Sequence, residues 1–146
     1  MSVYTYDPNK VICIIGGVPM SGFADGSMIT VEREADAYSK VVGADGETTR
    51  VKSANRSGTI TISLLQTSAS NDILSGFALL DEAANAGVVP MLIKDNSGRS
   101  IFASGSGWVK KVPSSAFGKD AGDREWVLDC ADLNIFTGGN TTSGVI

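Results

Sequence analysis

The sequence contains no histidine among its 146 residues. Histidine is the commonest general base and metal ligand in proteins, and it usually activates a serine or cysteine nucleophile. A histidine-based catalytic triad is therefore impossible in this chain. The glycines do not form a phosphate-binding loop either, because no GxxxxGK[ST] pattern occurs. Both absences argue against an enzyme.

Cysteines and long hydrophobic runs are also scarce. Cys13 and Cys130 lie in apolar runs without CxxC spacing, so we expect two small buried hydrophobes and no disulfide. The apolar run near the start extends only from Val11 to Ile15 and has no basic leader, which is far short of a signal sequence or a membrane span. We expect a product that remains in the cytoplasm where it is made and does not insert into a membrane.

The balance of charge is slightly acidic. Twelve Lys and Arg stand against 16 Asp and Glu, which gives a formal net charge of -4. A surface that grips nucleic-acid phosphates through its overall field is therefore not expected. With 42% hydrophobic residues and 17 glycines against 4 prolines, the composition predicts one ordered, β-rich domain with many tight turns.

Two groups of acids have a spacing that suggests metal ligands. The first group is Glu32, Glu34 and Asp36, and the second is Asp120, Asp123 and Glu125. The first group occupies alternate positions of an extended chain, so its carboxylates point the same way and repel one another. The second group lacks the full calcium-loop pattern with its terminal bidentate acid. We interpret both as solvated surface, and we predict no catalytic, cofactor-binding or metal-binding residues.

Two alternating strands flank a long polar segment. From Ser27 the period is two, with Ile29 and Val31 on one face, and the stretch GTITISLLQ from Gly58 alternates even more regularly. Residues 35–55 between them are polar, with an Asp45-Gly46 dipeptide that is typical of a type I′ hairpin turn. The pattern predicts a two-stranded arm that extends beyond the core and becomes ordered by packing against something else.

The rest of the chain is predicted as one helix and further strands. Apolar residues at helical spacing predict a helix over residues 71–86, in which Gly76 indicates close packing and Gly87 a positive φ at the end. Residues 88–95 and 99–112 read as a hairpin, and residues 124–136 as a single final strand. Trp108 and Trp126 are predicted to lie in the core. Residues 137–146 are predicted to form a loose tail.

The segment DGSMITVEREADAYSKVVGADGETTR, followed by SGTITISLLQTSASNDIL, resembles the tail tube proteins of contractile-tailed bacteriophages. The similarity extends over most of the chain and is weakest after Phe136. It implies a mainly β fold with one α-helix, a two-sheet β-sandwich or barrel of the tail-tube type with a long protruding β-hairpin arm. Residues 1–146 would form one domain, with an N-terminal arm at 1–10, the hairpin arm at 35–55, the helix at 71–86 against its flank and the loose tail at 137–146.

The resemblance also implies a function. Such proteins are structural components of the virion tail, in which six-membered rings stack into a hollow tube that delivers DNA. The implied partners are further copies of the chain together with tail sheath, tape-measure and baseplate proteins, and assembly would take place in the host bacterial cytoplasm. No cofactor is implied, and DNA would pass without specific binding.

Two sets of residues are expected to serve this assembly. The reverse faces of the two core-directed strands are expected to line the lumen, namely Thr30, Glu32, Glu34, Thr59, Thr61 and Ser63. The tip of the arm is expected to contact the adjacent ring, namely Val42, Gly43, Ala44, Asp45, Gly46 and Glu47. Carboxylates and small hydroxyls would repel phosphates and hold no DNA.

Two alternatives remain open at this point. The chain could be the tube subunit of a related injection machine, such as an R-type bacteriocin or a type VI secretion tube, because the sequence hardly separates these from a phage tail. It could instead be a small ligand-binding β-barrel, with Trp108 and Trp126 contributing to a pocket.

Overall fold

A computed structural model describes residues 3–140 of the chain. It is mainly β with one α-helix and two sheets, which confirms the predicted fold class. Residues 1 and 2 of the expected N-terminal arm, and residues 141–146 of the expected loose tail, lie outside the described residues. A single turn of 3-10 helix at Pro8–Lys10 precedes the first strand.

Within residues 3–140, ten strands form the two sheets. They are β1 (Val11–Ile15), β2 (Val18–Pro19), β3 (Ile29–Arg33), β4 (Tyr38–Val42), β5 (Thr48–Lys52), β6 (Gly58–Leu65), β7 (Val89–Asp95), β8 (Ile101–Lys111), β9 (Asp123–Cys130) and β10 (Asn134–Phe136). The large sheet is antiparallel in the order β2-β1-β7-β8-β9-β6-β3, and β10 also pairs with β8. Strands β4 and β5 form the small sheet, which is the arm.

The large sheet curls around one core. Alternate residues of β6, such as Ile62 and Leu64, are fully buried because one face of the strand points inward. Val31 of β3 and Val11 of β1 line the same cavity, although these strands lie near opposite ends of the strand order. The sheet must therefore fold back on itself, which brings its two ends together over the buried side chains.

The helix α1 spans Ser70–Ala84 and follows β6 directly. At its start, Oγ of Ser68 accepts a hydrogen bond from the backbone N–H of Ser70 at 3.2 Å. At its end, Asn85 adopts a φ of 52° and its N–H bonds to the last carbonyls of the helix. The prediction of a positive φ at Gly87 was wrong, because Asn85 already ends the helix in the left-handed conformation.

The space around the two glycines near α1 also differs from the prediction. A Cβ added at Gly76 would meet no atom within 4 Å, so the predicted close packing at this position was wrong. A Cβ at Gly87 would lie 2.6 Å from the carbonyl oxygen of Phe77. It is therefore Gly87 that allows a close approach of two chain segments.

The last predicted strand is interrupted. Instead of one strand over residues 124–136, β9 ends at Cys130 and β10 begins at Asn134. The strand is interrupted there because Leu133 turns into the core, where it is 0% exposed. Both strands still pair with β8, at different positions along its length.

Only one of the two tryptophans lies in the core. Trp126 is 2% exposed, whereas Trp108 is half-buried and lies opposite Asp129, on the face that points away from the core. The prediction of a core position for Trp108 was wrong because β8 contains a bulge. Val89 pairs with Gly107 but Met91 pairs with Ser104, so one extra residue of β8 reverses the alternation before Trp108.

The arm turns through a longer loop than predicted. Val42 pairs with Thr48, so residues 43–47 form the loop between the strands. Gly46 has a φ of 91°, while Asp45 is not among the residues with positive φ, so the turn is not the predicted two-residue type I′ turn. The Asp45 carboxylate accepts a hydrogen bond from the backbone N–H of Glu47 at 3.1 Å and stabilises the loop.

Candidate functional site

The polar faces of β3 and β6 form one continuous surface. Thr30 lies directly opposite Thr61, and Glu32 lies opposite Thr59. Because the side chains at paired positions of an antiparallel sheet point to the same side, these four residues share a face. The core residues Ile60 and Ile62 occupy the other side of β6.

Strand β9 extends this surface with residues that the sequence did not assign to it. Asp129 lies opposite Thr59, and Glu125 lies opposite Ser63. The signal was present in the alternation of REWVLDC, since a buried Trp126 and Leu128 direct Val127 and Asp129 to the other face. The sequence could not show that β9 would pair with β6.

We call this surface the acidic face. It comprises Thr30, Glu32, Thr59, Thr61, Ser63, Asp123, Glu125, Val127 and Asp129, together with Glu34, which follows β3 and accepts a hydrogen bond from Thr59. The six predicted lumen residues thus lie together on it, joined by three further carboxylates and one valine.

Hydroxyl groups fix the carboxylate of Glu34. Its Oε2 accepts a hydrogen bond from Oγ of Ser57 at 3.1 Å, and its Oε1 accepts one from Oγ1 of Thr59 at 3.2 Å. The same Thr59 hydroxyl lies 3.4 Å from Oδ1 of Asp129. A hydroxyl has one proton to donate, so Thr59 serves only one of these two carboxylates at a time.

Within β3, β6 and β9, which the structure describes completely, the two cations point away from the acidic face. Arg33 donates through Nη2 to the carbonyl oxygen of Leu133. Arg124 lies opposite Leu64 and is 8% exposed. These three strands therefore present carboxylates and hydroxyls on this face without a positive side chain. Lys111 of the neighbouring strand β8 lies opposite Val127 and is the cation at the border of the face. The five carboxylates outnumber it, so the face repels phosphate groups.

The six residues predicted at the tip of the arm lie where the sequence placed them. Val42 is the last residue of β4, and Gly43 to Glu47 form the loop. Each of the six is exposed, and so are all ten residues of β4 and β5. The arm contributes no buried residue to the core.

The chain offers little for redox or metal chemistry. Burial raises the pKa of the Cys13 thiol to about 12, and it also raises the pKa of Cys130. Both thiols are free and buried, as predicted. Among residues 3–140, no group of three or more Cys, Asp and Glu side chains is arranged to hold a metal ion. The same range contains no helix with the length and hydrophobicity needed to cross a bilayer.

Comparison with known proteins identifies the family. Residues 1–138 match the family described as the bacteriophage PhiTE tail tube protein. The chain belongs to this tail tube protein family. It is also 40% identical over 144 residues to structural protein ORF10 of Pseudomonas phage KPP10, which covers 93% of this chain and 83% of the relative. The resemblance noted in the sequence is confirmed, and the protein is a structural component of a phage tail and hence of the virion.

Solved structures share the fold of this tail tube protein at low sequence identity. The cap of the anti-feeding prophage, which terminates its tube, has a TM-score of 0.65 and 11% identity, over 94% of each chain. The sheath/tube terminator of the extracellular contractile injection system PVC has a TM-score of 0.66 and 12% identity, over 92% of this chain and 99% of the other. The PVC sheath-tube complex gives a TM-score of 0.63 at 10% identity, over 91% and 92%. The fold is thus that of tube and terminator proteins.

Proposed function

We propose that this tail tube protein forms six-membered rings that stack into a hollow tube, through which phage DNA is delivered into the host cell. The observation that carries the proposal is the open edge of β3, which borders the acidic face. Strand β3 ends the strand order of the large sheet among residues 3–140. A strand of a neighbouring copy can therefore extend the sheet at this edge.

The hydrogen bonds of β3 show which of its backbone groups are free to pair with a strand of a neighbouring copy. The N–H of Glu34 bonds to the carbonyl of Ser57, and the N–H of Ser63 bonds to the carbonyl of Met28. In an antiparallel pair, hydrogen-bonded positions alternate, so the even-numbered residues of β3 bond to β6. The N–H and C=O groups of Ile29, Val31 and Arg33 consequently point to the open edge.

A continuous barrel follows if each copy adds its sheet to the next. The acidic face, including Thr30, Glu32, Glu34, Thr59, Thr61 and Ser63, then lines the lumen, because the helix and the core lie on the other side of these strands. A lining of carboxylates and hydroxyls repels the phosphates of passing DNA and holds none of them. The role is structural and requires no catalytic step.

The arm and the N-terminal segment make the remaining contacts in this proposal. Val42, Gly43, Ala44, Asp45, Gly46 and Glu47 reach the adjacent ring, and residues 1–10 contact a neighbouring copy. A ring contact combined with an axial contact produces a helical filament. Sheath, tape-measure and baseplate proteins are the further partners. The match over residues 1–138 favours a phage tail over an R-type bacteriocin or a type VI secretion tube.

Electron microscopy of the purified protein tests the proposal. We expect stacked rings or tubes in negative stain, and six copies per ring in averaged end views. A dispersed monomer at all protein concentrations and salt conditions would contradict assembly. Rings with another number of copies would contradict only the six-membered ring.

A further inference from the structure

The two faces of the arm carry very different side chains. In the register of β4 and β5, Tyr38 pairs with Lys52, and Lys40 pairs with Arg50. Paired positions share a face, so Lys40, Arg50 and Lys52 lie together on one side of the arm. The other side is formed by the uncharged residues Ser39, Val41, Thr49 and Val51. We call the first side the cationic face of the arm.

The cationic face is unfavourable for an isolated hairpin. Like charges directly opposite each other on paired strands are destabilising, and Lys40 and Arg50 are such a pair. The Arg50 guanidinium carbon lies 4.1 Å from the centroid of the Tyr38 ring, which holds it over that ring. Among residues 3–140, the ion pair within 4.0 Å joins Arg56 to Asp132, so no described carboxylate of the same chain neutralises the three arm cations.

Carboxylates, whose charge is opposite to that of the cationic face, lie at the end of β6 and the start of β9, which are far from the arm along the strands. The arm leaves the sheet where β3 ends and β6 begins, and β6 then runs to Leu65. Asp123 lies opposite Leu65, and Glu125 lies opposite Ser63. Both acids are exposed, and both line a cavity of about 260 Å³ together with Lys111, Pro113, Ser114 and Val127. This cavity contains two carboxylates and one ammonium group, and it faces away from the arm of its own chain along the strands.

We propose that the cationic face of the arm docks on Asp123 and Glu125 of a second copy of the chain in the adjacent ring. These two acids lie at the end of the acidic face that is farthest from their own arm, so they form the rim of the lumen where two rings meet, and the rest of the face lines the channel. This inference rests on the proposed function, since it needs stacked rings. It also explains how the rings stack in one direction: a basic end meets an acidic end, and reversing one ring would bring like charges together. The uncharged side with Val41 and Val51 remains free for apolar contact with the same neighbour.

Charge reversal with rescue tests the proposal. The arm variant is Lys40→Glu with Lys52→Glu, the receiving variant is Asp123→Lys with Glu125→Lys, and a quadruple variant combines both pairs. The matched control is Lys94→Glu with Arg99→Glu, two exposed basic residues at the turn between β7 and β8, outside the arm, the N-terminal segment and the acidic face. All the changed residues are exposed, so the fold is retained, and circular dichroism of each variant checks this.

The readout is the critical concentration for tube formation, measured by light scattering and electron microscopy. We expect each charge-reversed pair alone to raise it about tenfold, which corresponds to about 1.4 kcal/mol per contact. The quadruple variant should regain wild-type assembly, and the control should assemble normally. High salt should weaken wild-type stacking and relieve the defect of the single-pair variants, because it screens both attraction and repulsion.

The outcomes separate this inference from the function on which it rests. If the wild-type protein forms tubes and the arm variant assembles equally well, the docking site is overturned and the proposed tube still stands. A defective arm variant that the quadruple variant does not rescue would show that the arm meets another surface, and would equally overturn it. Failure of the wild-type protein to form rings or tubes would instead overturn the proposed function.

Discussion

The indole Nε1 of Trp126 donates a hydrogen bond to Oδ1 of Asn71 at 2.9 Å, which ties strand β9 to the first turn of helix α1. The amide nitrogen of Asn71 also donates to the carbonyl oxygen of Leu65 at 2.9 Å and to that of Ser68 at 3.1 Å. One side chain thus joins the helix, the end of β6 and the core tryptophan. It holds α1 against the sheet at the point where the chain changes from strand to helix.

Replacing Asn71 should therefore destabilise the protein. In Asn71→Ala the buried indole N–H loses its acceptor, and we expect a decrease of about 1–3 kcal/mol in the free energy of unfolding. Urea unfolding monitored by circular dichroism measures this. A double-mutant cycle with Trp126→Phe should show a coupling of about 1 kcal/mol. Purely additive effects of the two substitutions would contradict a stabilising bond.

The glycines near α1 predict opposite effects of the same substitution. Gly76→Ala should stabilise the protein by up to about 1 kcal/mol, because alanine favours the helix and the new methyl group meets open space. Gly87→Ala is the matched control and should destabilise it, since the methyl group would lie 2.6 Å from the Phe77 carbonyl oxygen. Thermal unfolding of both variants measures the difference. A loss of stability in Gly76→Ala would show that the helix needs this glycine.

How far the sequence predicts this structure depends on the range of each interaction. The alternation of Ile60 and Ile62 with Thr59 and Thr61 is local, so the core face and the polar face of β6 could be predicted. The membership of Asp129 in the acidic face could not, because it depends on the pairing of β9 with β6, strands far apart in sequence.

Local irregularities limit the prediction in the same way. The position of Trp108 on the non-core face results from one extra residue in β8, which no pattern in SGSGW reveals. The break after Cys130 results from the burial of Leu133, which requires the folded core. The register of Lys40 against Arg50 depends on the loop length, and the Asp45-Gly46 dipeptide suggests a shorter loop than the one present.

The buried thiol of Cys13 predicts a loss of stability in alkali. The pKa of Cys13 rises from the ordinary 9.0 to about 12 on folding because burial disfavours the thiolate. A raised pKa gives stability that is complete below pH 9 and is lost as the pH rises from 9 to about 12. By pH 10 the loss of unfolding free energy due to Cys13 should be about 1.4 kcal/mol. The free energy of unfolding, measured with urea, should therefore fall more steeply between pH 8 and pH 10 for the wild type than for Cys13→Ala. Equal slopes would contradict this.

The arm predicts a change in proteolysis on assembly. Every residue of its loop is exposed in the single chain, so a glutamate-specific protease should cleave after Glu47 in the free protein. Assembled tubes should be protected by at least about tenfold if the arm lies against the adjacent ring. Cleavage of the urea-unfolded chain controls for the intrinsic rate at this site. Equal cleavage rates in the free and assembled states would contradict a contact between the arm and the next ring.

The carboxylates of the acidic face predict a defect in DNA passage without a defect in assembly. In Glu32→Lys an ammonium group replaces a carboxylate in the middle of the proposed lumen, where it would attract phosphates. Glu34→Lys should act in the same direction and also loses the hydrogen bonds from Ser57 and Thr59. Phage with either tube variant should assemble tails of normal appearance but eject DNA slowly or not at all.

Two further variants separate the sign of the charge from other effects. Glu32→Gln removes the charge without reversing it, so ejection should be close to normal if only a cation holds the DNA. Glu82→Lys makes the same reversal at an exposed position of α1, away from the acidic face, and should leave ejection unchanged. Normal infectivity of Glu32→Lys and Glu34→Lys phage with assembled tails would show that these side chains do not meet the DNA. The acidic face would then lie outside the channel.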